Sequence, residues 1–458
     1  MKISYSLVIL FLLGLTIDTQ AQVSYSTPIP TQAQLDWQNA ELVAVFHYDL
    51  HVFDGKKYTQ KKNRISPIPD YNIFHPEKLD TDQWIKVAKD AGCKIAILTA
   101  THETGFALYQ SDVNPYCLKA VKWREGKGDI VQDFVNSCHK YGVKPGIYIG
   151  IRWNSFYGIH DFNVSGKDQF AQNRQAHYNR ICEGMVQELC SRYGDLAIVW
   201  FDGGAHGPEQ GGPDVLSIFE KYQPNSIFYH NLQRSDIRWG GSESGKVPYP
   251  CWGTFPYAAW FDKRGDEIGF KPIKYGDPNG LFYMPAMSDA PLRGHNGRHE
   301  WFWEPNDEAH IYPLENLMDM YYHSVGHNSS LILGLTPDPD GLMPEADGRR
   351  LKEFGDEVNN RFVKPIAETK GTGNKLYLRL PEKQLIYQTV IMENIEQGER
   401  VREFIVEGRV NGKWKSLCEG SCIGHKYITR FEPVEVTAVR LIIKNSISKP
   451  VIKSFSVY

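Results

Sequence analysis

Two acidic residues in this sequence have surroundings suited to chemistry at a sugar bond. Asp202 closes the apolar run Trp200-Phe201 and is followed directly by Gly203-Gly204. A glycine pair lets the backbone turn sharply and leaves the carboxylate facing an open cleft. Glu243 lies in Arg238-Trp239-Gly240-Gly241-Ser242-Glu243-Ser244-Gly245, between small residues and close to Trp239. Such a loop can hold a partly desolvated acid, and desolvation raises a glutamate pKa toward the value a general acid needs near neutral pH. One carboxylate as nucleophile and one as acid is the pair most glycoside hydrolysis uses. Each also has an ordinary reading, Asp202 as a loop cap and Glu243 as a surface glutamate.

Other polar groups sit at the ends of other predicted strands. His47 follows Val43-Ala44-Val45-Phe46, and Thr101-His102-Glu103 closes a second apolar run, Lys94 to Ala100. Taken together at the ends of different strands, these residues favour a cleft over a set of unrelated structural roles. Trp200 and Trp239 would help keep such a cleft dry.

The elements that must position them alternate in type. Helices are expected over Asp80 to Ala91, Asp129 to Tyr141 and Gln169 to Tyr193. Asp80 caps the first of these, and Gly142 ends the second. Strands are expected at Lys144 to Ile149, Leu196 to Phe201, Ser226 to Tyr229, Leu281 to Met284 and Leu331 to Leu333. Repeated strand-helix units over residues 22–364 predict an α/β fold, a (β/α)8-like barrel. From about Lys375 the pattern becomes short alternating strands, so residues 365–458 are expected to form a C-terminal β-sandwich.

Composition narrows the function classes. The chain has 458 residues, 41% hydrophobic, with 51 Lys and Arg against 54 Asp and Glu and a formal net charge of -3. That balance excludes a disordered or collagen-like chain, and the absence of a basic stripe argues against a nucleic-acid partner. Eleven Trp, 25 Tyr and 22 Phe exceed what a core requires and suit flat platforms for sugars. Met1-Lys2, the apolar run Leu7 to Leu15 and Thr19-Gln20-Ala21 read as a signal peptide over residues 1–21. An exported protein, periplasmic or extracellular and without a membrane anchor, is therefore expected. Of the eight cysteines, Cys418 and Cys422 are the best disulfide candidate. No cysteine or histidine spacing matches a metal motif, so no metal and no cofactor are expected.

Longer stretches resemble a known family. Phe74 to Trp84, Leu98-Thr99-Ala100-Thr101-His102-Glu103-Thr104-Gly105-Phe106, Trp200-Phe201-Asp202-Gly203 and Tyr321 to Leu333 look like α-L-fucosidases of glycoside hydrolase family 29. Arg-Trp-x-Gly-x-Glu-x-Gly at 238–245 resembles the subgroup acting on branched α-1,3/1,4-linked fucose. The resemblance implies a retaining exo-glycosidase that releases terminal fucose from fucosylated glycans. It implies Asp202 as nucleophile and Glu243 as acid/base, with His47 and His102 bonding the fucose hydroxyls. Arg293 matches an arginine near the sugar, and Trp301 and Trp303 lie where an aromatic residue packs on its apolar side. Two departures stand out. Glu103 occupies the place of a sugar-contacting histidine, which exchanges a switchable donor for an acceptor. The family's Glu-Trp-Gly signature is not recognisable between Tyr58 and Asp70.

Three other readings compete. The same chemistry could act on L-galactose, which is fucose with one added hydroxyl, or on a β-galactoside. His47, His51, His102, Glu103, His160 and His206 could gather into a metal-dependent hydrolase. The chain could also be an inactive carbohydrate-binding homologue. The β-domain's own rings, among them Tyr377, Phe404 and Trp414, suit a structural role beside the barrel.

Overall fold

A computed structural model describes residues 27–260, 267–298 and 301–458. The expected signal peptide lies outside the described residues. Eight strands form the first sheet: β1 (Leu42–Phe46), β2 (Ile95–Thr101), β3 (Lys144–Ile149), β4 (Ile198–Ala205), β5 (Ile227–Asn231), β6 (Arg238–Trp239), β7 (Ala286–Pro291) and β8 (Ser329–Leu335). Their order is β5-β4-β3-β2-β1-β8-β7-β6, and each neighbouring pair is parallel. The strand order runs from β5 to β6 without pairing these two among the described residues, so the barrel is nearly closed.

The side chains of each strand divide by parity. On β1, Val43 and Val45 join Ile95, Ile97, Ile198, Trp200 and Ile332 in the barrel interior. Leu42, Ala44 and Phe46 face outward into the layer under the helices, where Phe46 stacks on Trp84 at 5.6 Å. Both faces of a parallel strand are therefore covered, which is why all of β1 is buried.

The helices begin and end where the sequence signals them. Helix α1 (Gln32–Ala40) closes the barrel floor with Trp37. The Asp80 side chain accepts from Gln83 N at the start of α2 (Thr81–Asp90), and Asp129 does the same for Gln132 N at α3 (Ile130–Tyr141). Gly142 ends α3 in the left-handed region, at φ 69°. Helices α4 (Gln169–Arg192), α5 (Val215–Tyr222), α6 (Glu267–Tyr275), α7 (Leu314–His323) and α8 (Glu345–Phe362) follow.

One strand assignment needs correction. The Leu281 to Met284 run gives only the short strand Phe282–Tyr283, paired antiparallel with Thr254–Phe255 outside the barrel. The barrel strand is β7, whose sequence Ala-Met-Ser-Asp-Ala-Pro lacks β-branched residues. Burial between β6 and β8 holds it extended.

Beyond α8 come β9 (Ala367–Thr372), β10 (Lys375–Glu393), β11 (Val401–Val410), β12 (Lys413–Gly420), β13 (Tyr427–Ser446) and β14 (Val451–Val457). They form one antiparallel sheet in the order β9-β14-β10-β13-β11-β12. The long strands β10 and β13 shift register between Arg379 and Gln384. They pair with each other along both halves, β14 joins β10 at Thr389–Glu393 and β11 joins β13 at Val439–Ser446, and one core includes Leu378, Ile391, Val439 and Phe455. Tyr249 binds this domain to the barrel, accepting from Ser421 N and Cys422 N. Glu399 accepts from Gly253 N at 2.9 Å and is also bound by Asn328. Cys418 and Cys422 are free thiols, against the disulfide expected from their spacing. Cys418 pairs along the β11–β12 ladder opposite Val406, whereas Cys422 turns to the carbonyl of Cys251 at 3.4 Å.

Candidate active site

A pocket opens at the C-terminal ends of the barrel strands. The strands themselves supply Val45, Tyr148, Trp200, Asp202 and Asp289 to its wall. Loops just beyond them add His47, Tyr58, Gln60, His102, Glu103, Glu243 and Trp301. Every one of these residues comes from the barrel half of the chain. A larger cleft at the opposite end is lined by residues such as Trp37, Lys144 and Gln223. Two of its polar residues are engaged elsewhere, Lys144 with Asp36 at 2.6 Å and Gln223 with the carbonyls of Cys190 and Gly194.

Asp202 sits on β4 where the chain turns through Gly203 and Gly204, at φ 66° and 85°. A Cβ on Gly203 would lie 2.8 Å from Cδ of Arg152, whose Nη1 donates to the Gly203 carbonyl at 3.1 Å. Burial and the nearby Glu243 push the Asp202 carboxyl upward in pKa. Arg64, the Tyr148 hydroxyl and the Gly203 backbone oppose that shift and favour the anion.

Glu243 stands in the loop after β6, and the Trp301 indole N–H donates to its Oε2 at 3.3 Å. Trp301 rests on β8, where a Cβ on Gly334 would come within 2.5 Å of its ring. The same ring lies 5.0 Å from His47. The His47 backbone N–H continues the β1–β8 ladder to the Leu335 carbonyl at 2.9 Å. His102 stacks on Tyr148 at 5.1 Å. Burial drives the pKa of His47 down to about 3 and that of His102 well below the usual imidazole range. Both rings are therefore neutral at ordinary pH, and each carries a buried Nδ1 with no hydrogen-bond partner among the described residues. Neutral imidazoles offer one donor and one acceptor, which suits sugar hydroxyls.

The structure thus brings together His47, His102, Glu103, Trp200, Asp202, Glu243 and Trp301. Trp239 stands just behind them, donating from Nε1 to Asp289 at 3.0 Å. Arg293 and Trp303 are not among the lining residues, contrary to expectation. Arg293 is 1% exposed and grips Asp347 of α8, with Nε–Oδ1 at 3.0 Å and Nη2–Oδ2 at 2.6 Å. A buried guanidinium demands a carboxylate, and Asp347 supplies it away from the pocket. Trp303 is half-buried and packs against the core beneath the helices.

Sequence reasoning missed Asp289, Tyr148, Tyr58 and Gln60. Asp289 obeys the same strand-end rule as Asp202, but its strand was not recognised. Tyr148 reads as an ordinary core residue of β3. Among the described residues, no group of three or more His, Cys, Asp or Glu is placed to hold a metal ion. His51 instead stacks on Tyr58 at 4.8 Å, and His206 on Phe162 at 3.8 Å.

The alpha-L-fucosidase family profile matches residues 24–243. Alpha-L-fucosidase 1 of Arabidopsis thaliana is 26% identical over 94% of this chain and 87% of its own length. A crystal structure from Bacteroides thetaiotaomicron, assigned to the alpha-L-fucosidases, is 61% identical, with a TM-score of 0.93 over 94% of this chain and 99% of that one. A glycoside hydrolase 29 family member from a rumen bacterium is 28% identical, with a TM-score of 0.79 over 94% of this chain and 77% of that one. With a paired-carboxylate pocket at the strand ends and a relative 61% identical over 99% of its own length, the chain belongs to the α-L-fucosidase family, glycoside hydrolase family 29.

Proposed function

We propose that this protein is a retaining exo-α-L-fucosidase that works by double displacement. The observation that carries the reading is the placement of Asp202 and Glu243 in one pocket, flanked by the neutral imidazoles of His47 and His102. In the first step a carboxylate oxygen of Asp202 attacks the anomeric carbon. The bond to the leaving oxygen breaks as Glu243 gives that oxygen its proton. In the second step the Glu243 carboxylate takes a proton from water, and the water oxygen displaces Asp202 from the sugar. Two inversions leave the configuration as it began.

His47 and His102 hold the sugar hydroxyls, and Trp200 and Trp301 cover its apolar faces. The Arg238-Trp239-x-Gly-x-Glu-x-Gly pattern favours branched α-1,3/1,4-fucosylated oligosaccharides as substrates. The leader-like run at residues 1–21 favours action outside the cytoplasm, which the mass of the mature N-terminus would establish.

Proton NMR of the first sugar released from an aryl α-L-fucoside tests the mechanism. The α-anomer appearing first is the expected result. The β-anomer appearing first would mean an inverting enzyme, whose carboxyl groups stand roughly 6.5–9.5 Å apart rather than about 5 Å.

A further inference from the structure

The most unusual feature of the pocket is Glu103, which is 4% exposed yet keeps a carboxylate at the wall. Two residues from the segment before α2 hold it. Arg64 Nε donates to Oε1 at 2.7 Å, and the Tyr58 hydroxyl donates to Oε2 at 2.9 Å. Arg64 is itself fixed, with its guanidinium 3.5 Å from the centroid of the Trp153 ring. That indole also carries Arg152 at 4.5 Å, and Arg152 donates to the Gly203 carbonyl beside Asp202. One tryptophan therefore ties the wall bearing Glu103 to the turn bearing Asp202.

An ionised carboxylate has about four acceptor sites, two on each oxygen. Here one site on each oxygen is filled, by Arg64 and by Tyr58, which leaves one on each for a ligand. Arg64 does not line the pocket, so its charge supports Glu103 without touching what binds there.

We propose that Arg64 and Tyr58 are positioning residues that lock Glu103 as a double acceptor, so that the sugar subsite reads two neighbouring hydroxyl groups through one carboxylate. The inference rests on this pocket being the fucose site proposed above. Burial holds the Glu103 pKa above the usual glutamate range, and Arg64 and Tyr58 are the largest influences that oppose this and favour the anion. Without Arg64 the carboxyl becomes a mixed donor and acceptor, and its orientation loosens. The substrates selected are pyranosides with a free vicinal diol facing Glu103, and deoxygenation or O-methylation of either hydroxyl is disfavoured.

Isothermal titration calorimetry with L-fucose and its 2-, 3- and 4-deoxy analogues reads this directly, with no catalytic step. In the wild type, loss of either of two adjacent hydroxyls should weaken binding about tenfold or more, as expected for a hydrogen bond to a charged group. In Arg64→Met, fucose itself should bind about tenfold more weakly, and the penalty for those two deoxygenations should nearly vanish. The penalty at the third position should persist. Tyr58→Phe should erase the penalty at one position only. Thermal melting of each variant confirms folding, and Tyr58→Phe keeps the test open if Arg64→Met does not fold. Unchanged fucose affinity in both variants, or an equal loss for fucose and all three analogues, would overturn the proposal and leave the ion pair a purely structural tie. Wild-type protein that binds none of the four sugars would instead overturn the fucose reading of the pocket.

Discussion

The indole N–H of Trp301 donates to Oε2 of Glu243 across 3.3 Å, while the same ring packs against His47 and the backbone of Gly334. The residue proposed to protonate the leaving group is thus aimed by a side chain that also lines the pocket. Trp301→Phe keeps the ring and removes the donor. Activity on natural oligosaccharides should fall about tenfold, the usual scale for a lost orienting hydrogen bond. Activity on aryl fucosides with good leaving groups should change far less, because they need little protonation. Measuring kcat/KM on both substrate types checks this, and equal losses would separate Trp301 from the acid role.

The same logic applies more strongly to the carboxylates. Asp202→Ala should abolish turnover of every substrate. Glu243→Ala should lose about a hundredfold or more on oligosaccharides, within the range for general acid catalysis. On an activated fucoside the Glu243 variant should instead build up the glycosyl-enzyme, visible as a burst and as added mass on the protein. Activity in Asp202→Ala near that of the wild type would end the nucleophile assignment.

Asp289 is a fourth carboxylate in the pocket, beside Glu103, Asp202 and Glu243. Burial and its carboxylate neighbours, Glu243 first and then Asp202, push its pKa well above the usual aspartate range. It should therefore work as a neutral group that accepts from Trp239. Asparagine imitates a neutral aspartic acid in shape, so Asp289→Asn should keep kcat/KM within about threefold. Asp289→Ala leaves the Trp239 N–H without its partner and opens the pocket, and a loss of about tenfold is expected. Steady-state kinetics of the two variants decide the matter. Severe loss in both would mean that the charged form is needed.

Gly203 offers a purely conformational test beside Asp202, the proposed nucleophile. Its φ of 66° is costly for a residue with a side chain, and the added methyl would press on Arg152. Gly203→Ala should lower kcat about tenfold or more through displacement of Asp202, since small misplacements are expensive in a preorganised site. Fucose affinity should shift less. A variant with full kcat would show that the turn tolerates the change.

Much of this arrangement is legible in the sequence alone, for reasons that differ by residue. His47, His102 and Asp202 could be found because apolar runs mark parallel strands, and the residue after such a run lies at the catalytic end of a barrel. Asp80, Asp129 and Gly142 announce helix ends through local hydrogen bonding that needs no tertiary context. Asp289 could not be found in the same way, because β7 is held extended by its neighbours rather than by its own residues. Arg293 misled because the match was to a motif, and no motif reveals that Asp347, 54 positions later, has claimed the guanidinium. Tyr58 and Arg64 were hidden in a segment whose only local feature is a single helical turn at Gln60–Asn63. Their role depends on Glu103, a partner 39 and 45 residues distant in sequence.

The junction between barrel and β-domain should make stability depend on pH. Glu393 is buried at the inner edge of the β-domain, where Oε1 accepts from Arg400 N and Val401 N. Its Oε2 has no hydrogen-bond partner among the described residues. Burial, reinforced by the neighbouring Glu399, raises the Glu393 pKa to about 8. The folded state therefore holds a proton that the unfolded state releases near pH 4.5, the ordinary value for a glutamate. Stability conferred by that proton is complete below about pH 4.5 and is lost as pH rises toward 8, by a few kcal/mol in all. Glu393→Gln keeps an acceptor for both backbone N–H groups and cannot ionise. Its urea midpoint should fall less than that of the wild type between pH 5 and 8, and the variant should be the more stable protein at pH 8. Parallel pH profiles for the two proteins would show that Glu393 is already ionised in the folded state. Because no pocket residue comes from this domain, kcat at pH 6 should be the same for both.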